Sequence, residues 1–220
     1  MNRIIWLRVV GACIAVLLLL HAATGFYGDL VQPEFRASDL FSGEAAPEKA
    51  GLASSGLLAS LSFDGDLLAN IAAAKAADVL HHPATDAGAR ANDNKAAQEA
   101  VIAALKLSPI RPALWLTLGM LKAQSGEPAT SALKMSYFTG TVPIDVVFAR
   151  IQTVTSSTAA ADEDIKLLAQ SDIRAALANR SRYEPLLIAT YVQATPQGKS
   201  LLLDTAQATD PKFGAVLKRY

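Results

Sequence analysis

The hydrophobic pattern of this chain changes character twice. From Val9 to Tyr27 no Asp, Glu, Lys or Arg interrupts the sequence, a run of 19 residues. From residue 64 onward, apolar positions recur three and four apart, the spacing of helices that bury one face. Between these regions, 29–56 carries Pro33, Gly43, Pro47, Gly51 and Gly56 among Ser and Ala. It reads as a linker with a short helix near 37–41. The predicted division is therefore an anchor over 1–28, a linker over 29–56 and a helical domain over 57–220.

Local punctuation sets the expected helices of that domain. Asp64 is placed to cap a helix over 64–80, with Leu67, Leu68, Ile71 and Val79 as its stripe and His82-Pro83 as its end. Asn92 or Asp93 starts a second that runs to about Leu107, with Ala97, Ala100, Val101, Ala104 and Leu105 on one face, and Ser108-Pro109 stops it. Pro112 opens a third and Ser125-Gly126 closes it. Further helices are expected over 128–138, 142–154, 162–178, 183–194, 196–208 and 211–220. Asp162, Glu163 and Asp164 suit the positive end of the sixth. No stretch alternates β-branched residues as a strand would, and the predicted fold class is all-α.

The N-terminal run would span about 28 Å as a helix, against a hydrocarbon core of roughly 30 Å. Arg3 and Arg8 precede it, whereas Asp29, Glu34 and Asp39 follow it with Arg36 alone in opposition. That asymmetry places Met1 in the cytoplasm and the rest of the chain across the membrane. Phe26 and Tyr27 stand where an interfacial aromatic belt would lie. An uncleaved anchor is the favoured reading. A cleaved signal is the alternative, with Ala23 and Gly25 near a cut but Leu20-His21-Ala22 fitting poorly. A lipoprotein is disfavoured because the main apolar run follows Cys13.

Composition sharpens the picture. Of 220 residues 51% are hydrophobic, yet 42 are Ala and only 14 are aromatic, which favours close-packed helices. Lys+Arg 20 balances Asp+Glu 20, so no overall basic field recruits nucleic acid. From Leu30 onward 18 basic and 19 acidic residues remain, near −1. Cys13, the single cysteine, lies in the apolar run, so the exported part can form no internal disulfide, thiolate nucleophile or cysteine-ligated zinc.

The most informative stretch lies between Pro109 and Pro143, prolines 34 residues apart. Trp115, Leu118 and Gly119 give a large–large–small first helix; Ser131 and Met135 take the small and large positions of a second. Gly119 and Ser131 would allow close helix crossing, with Trp115 filling the space between units. Thirty-four residues earlier Ala97, Val101 and Ala104 lead to Pro109, a second helix of a preceding unit; 34 later, Ala149 and Thr153 replace the Trp and Gly, and the match fades. On these residues the chain resembles the tetratricopeptide-repeat-like family over about 80 residues. Lys122 departs from the large apolar residue usual in the family. The resemblance implies helix pairs stacked in an array, with a groove lined by first helices that holds a peptide or partner helix. The groove positions it implies are Ala113, Leu116, Met120 and Ala123. With Leu114, Leu118 and Leu121, that helix is apolar nearly all round and must be covered on every side, by the chain's own helices or by a partner segment.

Candidate chemistry is sparse. Asp78 and His82 are four apart and could share a helix face, but no third ligand stands at a metal-site spacing, and His81 and His82 suit a helix C-terminus; no metal or other cofactor is expected. Arg174, Arg180 and Arg182 with Tyr183 form a basic and aromatic cluster that could contact an anion or a sugar, although a solvated helix end explains it as well. No phosphate loop, dinucleotide fingerprint, nucleophile elbow or metalloprotease motif is present. A small-molecule ligand is not expected.

The layout is also similar to small anchored helical-repeat proteins accompanying exopolysaccharide or envelope-polysaccharide production in alphaproteobacteria. Trp115 to Gly119, the run from Met135 to Gly140, and Asp172-Ile173-Arg174 carry that comparison. The expectation is a non-enzymatic scaffold or adaptor in the inner membrane, N-terminus cytoplasmic, anchored through residues 9–27, with a periplasmic domain that binds another envelope protein. The alternatives are a helical polysaccharide hydrolase or lyase, with Arg182, Tyr183 and nearby acids lining a cleft, and a structural subunit of a secretion or division complex.

Overall fold

The computed structural model describes residues 2–31, 39–41 and 65–220. Those residues form ten α-helices and two 3-10 segments, with no strand among them. The helices are α1 (Asn2–Val31), α2 (Gly65–His81), α3 (Ala87–Leu107), α4 (Pro112–Gln124), α5 (Thr130–Phe138), α6 (Ile144–Ser156), α7 (Glu163–Ala178), α8 (Arg180–Gln193), α9 (Pro196–Thr209) and α10 (Pro211–Leu217). One 3-10 turn covers Asp39–Phe41 and the other Thr158–Ala161. Most of the linker over 29–56, the start of the helical domain at 57 and the capping role of Asp64 lie outside the described residues.

α1 is long and apolar enough to cross a membrane: its Trp6–Ala23 stretch buries nothing against the rest of the chain. The helix runs on to Val31, three residues into the expected linker. Of the short helix expected near 37–41, the described part is the 3-10 turn.

Boundaries inside the domain follow side-chain caps. Asp162 accepts from the Ile165 amide at 3.0 Å, as the acidic run predicts. Thr195 does the same for Gly198 at 3.1 Å and Asp210 for Phe213 at 3.1 Å. Two starts differ from the sequence reading by three residues or more. α3 begins at Ala87 because Asp86 accepts from the Ala89 amide at 2.7 Å, and the Ala-rich turn that follows propagates without an apolar stripe. α8 begins at Arg180, which leaves Pro185 inside the helix, whereas a start at Tyr183 would have put it in the first turn. Asn179 alone separates α8 from α7.

The helices pack as successive pairs, α2 with α3, α4 with α5 and α6 with α7. The first helices of the pairs touch in series, α2 to α4 to α6, and α5 touches α7. α9 closes the assembly against α6, α7 and α10. Two cores result. The first joins Ala69, Ala72, Ala73, Ala76 and Ala77 of α2 to Ala97, Val101 and Ala104 of α3 and to Leu114, Leu118 and Leu121 of α4. The second is built of larger groups, including Leu133, Ile151, Ile165, Ile173, Leu187, Leu202, Phe213 and Leu217. Leu116, on the other side of α4, belongs to the second. The chain's own helices on both sides therefore cover most of α4.

The repeat positions behave unequally. Gly119 lies where an added Cβ would meet Leu133 Cδ2 at 2.8 Å, so α4 and α5 cross closely there. Trp115 is half-buried, and its indole N–H donates to the Pro109 carbonyl at 2.7 Å, pinning the loop between α3 and α4. Pro143 immediately precedes α6. Ser131 is exposed rather than at the crossing, and Met135 is 36% exposed rather than filling a core position. The reason is one of phase: Ala132, Leu133 and Ser136 occupy the inner face of α5, with Ser136 Oγ donating to the Pro112 carbonyl at 2.9 Å.

Candidate functional site

The face made by α2, α4 and α6 carries an open feature. Leu80 of α2, Met120, Ala123 and Gln124 of α4, and Gln152, Thr153 and Ser156 of α6 line a shallow pocket of about 300 Å³. Leu80, Met120 and Ala123 give it apolar surface, Gln124, Gln152, Thr153 and Ser156 are uncharged polar residues, and no charged side chain lines it. Of the four expected groove positions, Met120 and Ala123 line this pocket. Leu116 is fully buried in the second core instead, and Ala113 is half-buried without lining the pocket.

The 3-10 turn at Asp39–Phe41 docks across the same two flanking helices, α2 and α6. Leu40 is 3% exposed and belongs to the Ala-rich core, while Phe41 packs half-buried against both cores. Neither residue lines the pocket, which stays open with the turn in place. Sequence reasoning placed these residues in the linker, in a short helix near 37–41, without a packing role. The signal available was a pair of adjacent large apolar side chains, Leu40-Phe41, among the small and polar residues Ala37 to Gly43.

Two buried polar systems hold the groove helices in position. At the end of α4, the Asn94 amide donates to the Leu121 carbonyl at 3.0 Å and to Gln124 Oε1 at 3.1 Å. Gln98 donates to Asn94 Oδ1 at 2.8 Å and to Glu127 Oε1 at 3.0 Å. Hydrogen bonds from Gln98 and Ser125 hold the Glu127 carboxyl below its ordinary range. These bonds satisfy carbonyls that the end of a helix leaves open.

The second system ties three helices together. Arg150 of α6 pairs in two-pronged fashion with Asp172 of α7, Nε to Oδ2 at 2.7 Å and Nη2 to Oδ1 at 2.9 Å. Its third nitrogen donates to the Ser136 carbonyl of α5 at 3.2 Å, and the guanidinium lies 3.8 Å from the centre of the Tyr137 ring. Both charges are buried, at 5% and 8% exposure. The Tyr137 hydroxyl is buried and forms no hydrogen bond, and burial followed by the Asp172 charge pushes its ionisation far above the usual range. It stays neutral. The runs Met135–Gly140 and Asp172–Arg174 thus meet through Tyr137 and Asp172, with Arg150 between them; sequence reasoning missed Arg150, which alone looks like any helical surface cation.

Within the basic cluster Arg182 and Tyr183 meet each other, while Arg174 and Arg180 are tied to other residues. Arg180 pairs with Glu184 at 2.8 Å and Asp210 at 2.9 Å, and those carboxylates raise its already high pKa. Tyr183 is buried with its ring 4.7 Å from that of Phe148. Arg182 lies over the Tyr183 ring at 5.3 Å, and exposed Arg174 donates to Gln170 at 3.3 Å. Arg180 is a structural tie between α8 and the start of α10. His82 Nδ1 is 3.6 Å from Asp78 Oδ1, and among the described residues no group of three or more His, Cys, Asp and Glu side chains converges on a metal position.

No family model, curated protein or solved structure matches this chain. The functional reading therefore rests on geometry.

Proposed function

We propose that the protein is a non-enzymatic membrane-anchored adaptor whose α2–α4–α6 face receives a segment of another envelope protein. The observation that carries this reading is the uncharged pocket at the ends of three serially packed first helices, two of which, α2 and α6, already hold a docked chain segment. An uncharged lining of apolar and polar side chains suits a neutral peptide stretch better than a charged metabolite. The helix pairs, the close crossing at Gly119 and the 34-residue proline spacing support a tetratricopeptide-like array.

In the same reading α1 crosses the inner membrane with its N-terminus in the cytoplasm, favoured by Arg3 and Arg8 before the span and Asp29, Glu34 and Asp39 after it. The domain then lies in the periplasm and serves an exopolysaccharide or envelope-polysaccharide system. The test is purification of the full chain from membranes in mild detergent, alongside a deletion strain. A co-purifying membrane protein and altered envelope polysaccharide are the expected results. A partner-free, monodisperse protein with normal envelope polysaccharide in the deletion strain contradicts the proposal.

A further inference from the structure

The 3-10 turn shows that the α2 and α6 side of the first-helix face holds an apolar segment outside the open pocket. A three-residue turn has no stability of its own, because helix nucleation is unfavourable and so short a segment adds almost nothing to offset it. What holds it is burial of Leu40, at 3% exposure, in the Ala-rich core, with Phe41 leaning on both cores. The core that takes Leu40 is rich in small side chains, Ala69, Ala72, Ala73 and Ala76 of α2 among them.

We propose that Leu40-Phe41 is a resident ligand of the first-helix face, and that the site it vacates receives adjacent large apolar side chains from a membrane-tethered partner. The proposal rests on the adaptor reading and names the chemistry of its ligand.

Chain length gives the docked turn a second consequence. Eight residue steps separate Val31 from Asp39, so with the turn docked the domain lies within about 26–29 Å of the end of α1. Released, the tether runs from Val31 to Gly65, 34 steps, with a maximum reach of about 110–120 Å. The docked turn sets how far the domain stands from the membrane, and displacement frees it.

Tethering also says which partner can compete. A ligand on a short tether acts at an effective concentration on the order of millimolar. A dilute soluble peptide with the same two side chains competes poorly. A segment carried by another protein in the same membrane shares the advantage of tethering.

The test uses the full chain in detergent and a fluorescent peptide copying residues 36–44. Binding is compared between the wild type and the double variant L40A/F41A by anisotropy. The peptide is expected to bind the double variant at least about tenfold more tightly than the wild type, and a peptide with serine in place of both apolar residues is expected to bind neither. Equal affinity for wild type and variant, or no binding to a variant that retains helical circular dichroism and a cooperative melt, overturns the proposal. So does equal binding of the serine peptide. If the double variant does not fold, F41A, which keeps Leu40 in the core, supports the same comparison with a smaller gain. Failure of the peptide overturns the resident ligand and leaves the adaptor reading standing on its co-purification test; absence of a co-purifying partner overturns the adaptor reading whatever the peptide does.

Discussion

The two cores achieve burial by opposite means. Around α2 and α3, alanines let the helices approach closely, and Val101, Leu114, Leu118 and Leu121 supply most of the bulk. Around α6 to α10, Ile, Leu and Phe interdigitate and a charged pair is buried among them. Alanine contributes little buried surface per residue, so the first region depends on close approach and on its amide network. The second depends on volume. The docked Leu40 belongs to the first region, among small residues, while the ion pair sits in the second.

Breaking the charge pair should have the largest effect. Asp172→Ala leaves Arg150 buried without its partner and should cost about 3–5 kcal/mol in chemical denaturation, while the matched change Gln98→Ala in the first region should cost clearly less. If the two cost the same, the distinction between the regions fails.

Next come changes of volume with opposite sign. Ile151→Ala removes a fully buried side chain from the second core and should cost about 2–5 kcal/mol. Ala73→Leu adds volume to the first, where Ala73 is completely buried, and should cost about 1–3 kcal/mol. The converse cavity test in the first region is limited to its few large side chains. Gly198→Ala sharpens the second region: an added Cβ would lie 2.0 Å from the Thr155 carbonyl oxygen, a backbone atom that cannot step aside. A loss of about 1–3 kcal/mol is expected, read from the melting temperature.

Asp86→Ala should remove the cap that starts α3 and cost about 1 kcal/mol. The smallest effect is on pH dependence. Hydrogen bonds to the Ile165 amide and Lys134 lower the Asp162 pKa, and Arg180 and the Phe213 amide lower that of Asp210. A lowered folded pKa stabilises the fold above the ordinary carboxylate value of 3.8, and that contribution is lost as pH falls through the lowered values. Stability should therefore decline in the acid range below about pH 4, and less steeply in the D162N/D210N double variant. An unchanged slope would show that these exposed pairs contribute nothing.

Much of the helical layout was legible because prolines and caps mark it. Pro109, Pro112, Pro143, Pro196 and Pro211 stand within a residue or two of helix ends, and the spacing of apolar residues fixes which faces turn inward. The start of α3 was not legible, since Asp86 is followed by residues with no apolar stripe to announce a helix. The phase of α5 was also hidden: the repeat pattern selects Ser131 and Met135, but packing against α4 selects Ala132 and Ser136. Of the candidate groove, Met120 and Ala123 are positions that the family resemblance implies. The contributions of Gln152, Thr153 and Ser156, and the docking of Leu40, were not legible, because they depend on contacts between residues far apart in sequence.

The central claim is that a partner lies on the α2–α4–α6 face. Its most direct test is photo-crosslinking in intact membranes, with a photoreactive residue replacing Met120 on that face and, as control, Leu167, which is 68% exposed on α7. A discrete adduct with another membrane protein from position 120, absent from position 167, is the predicted result. Equal labelling from both positions, or no adduct from position 120, would contradict it.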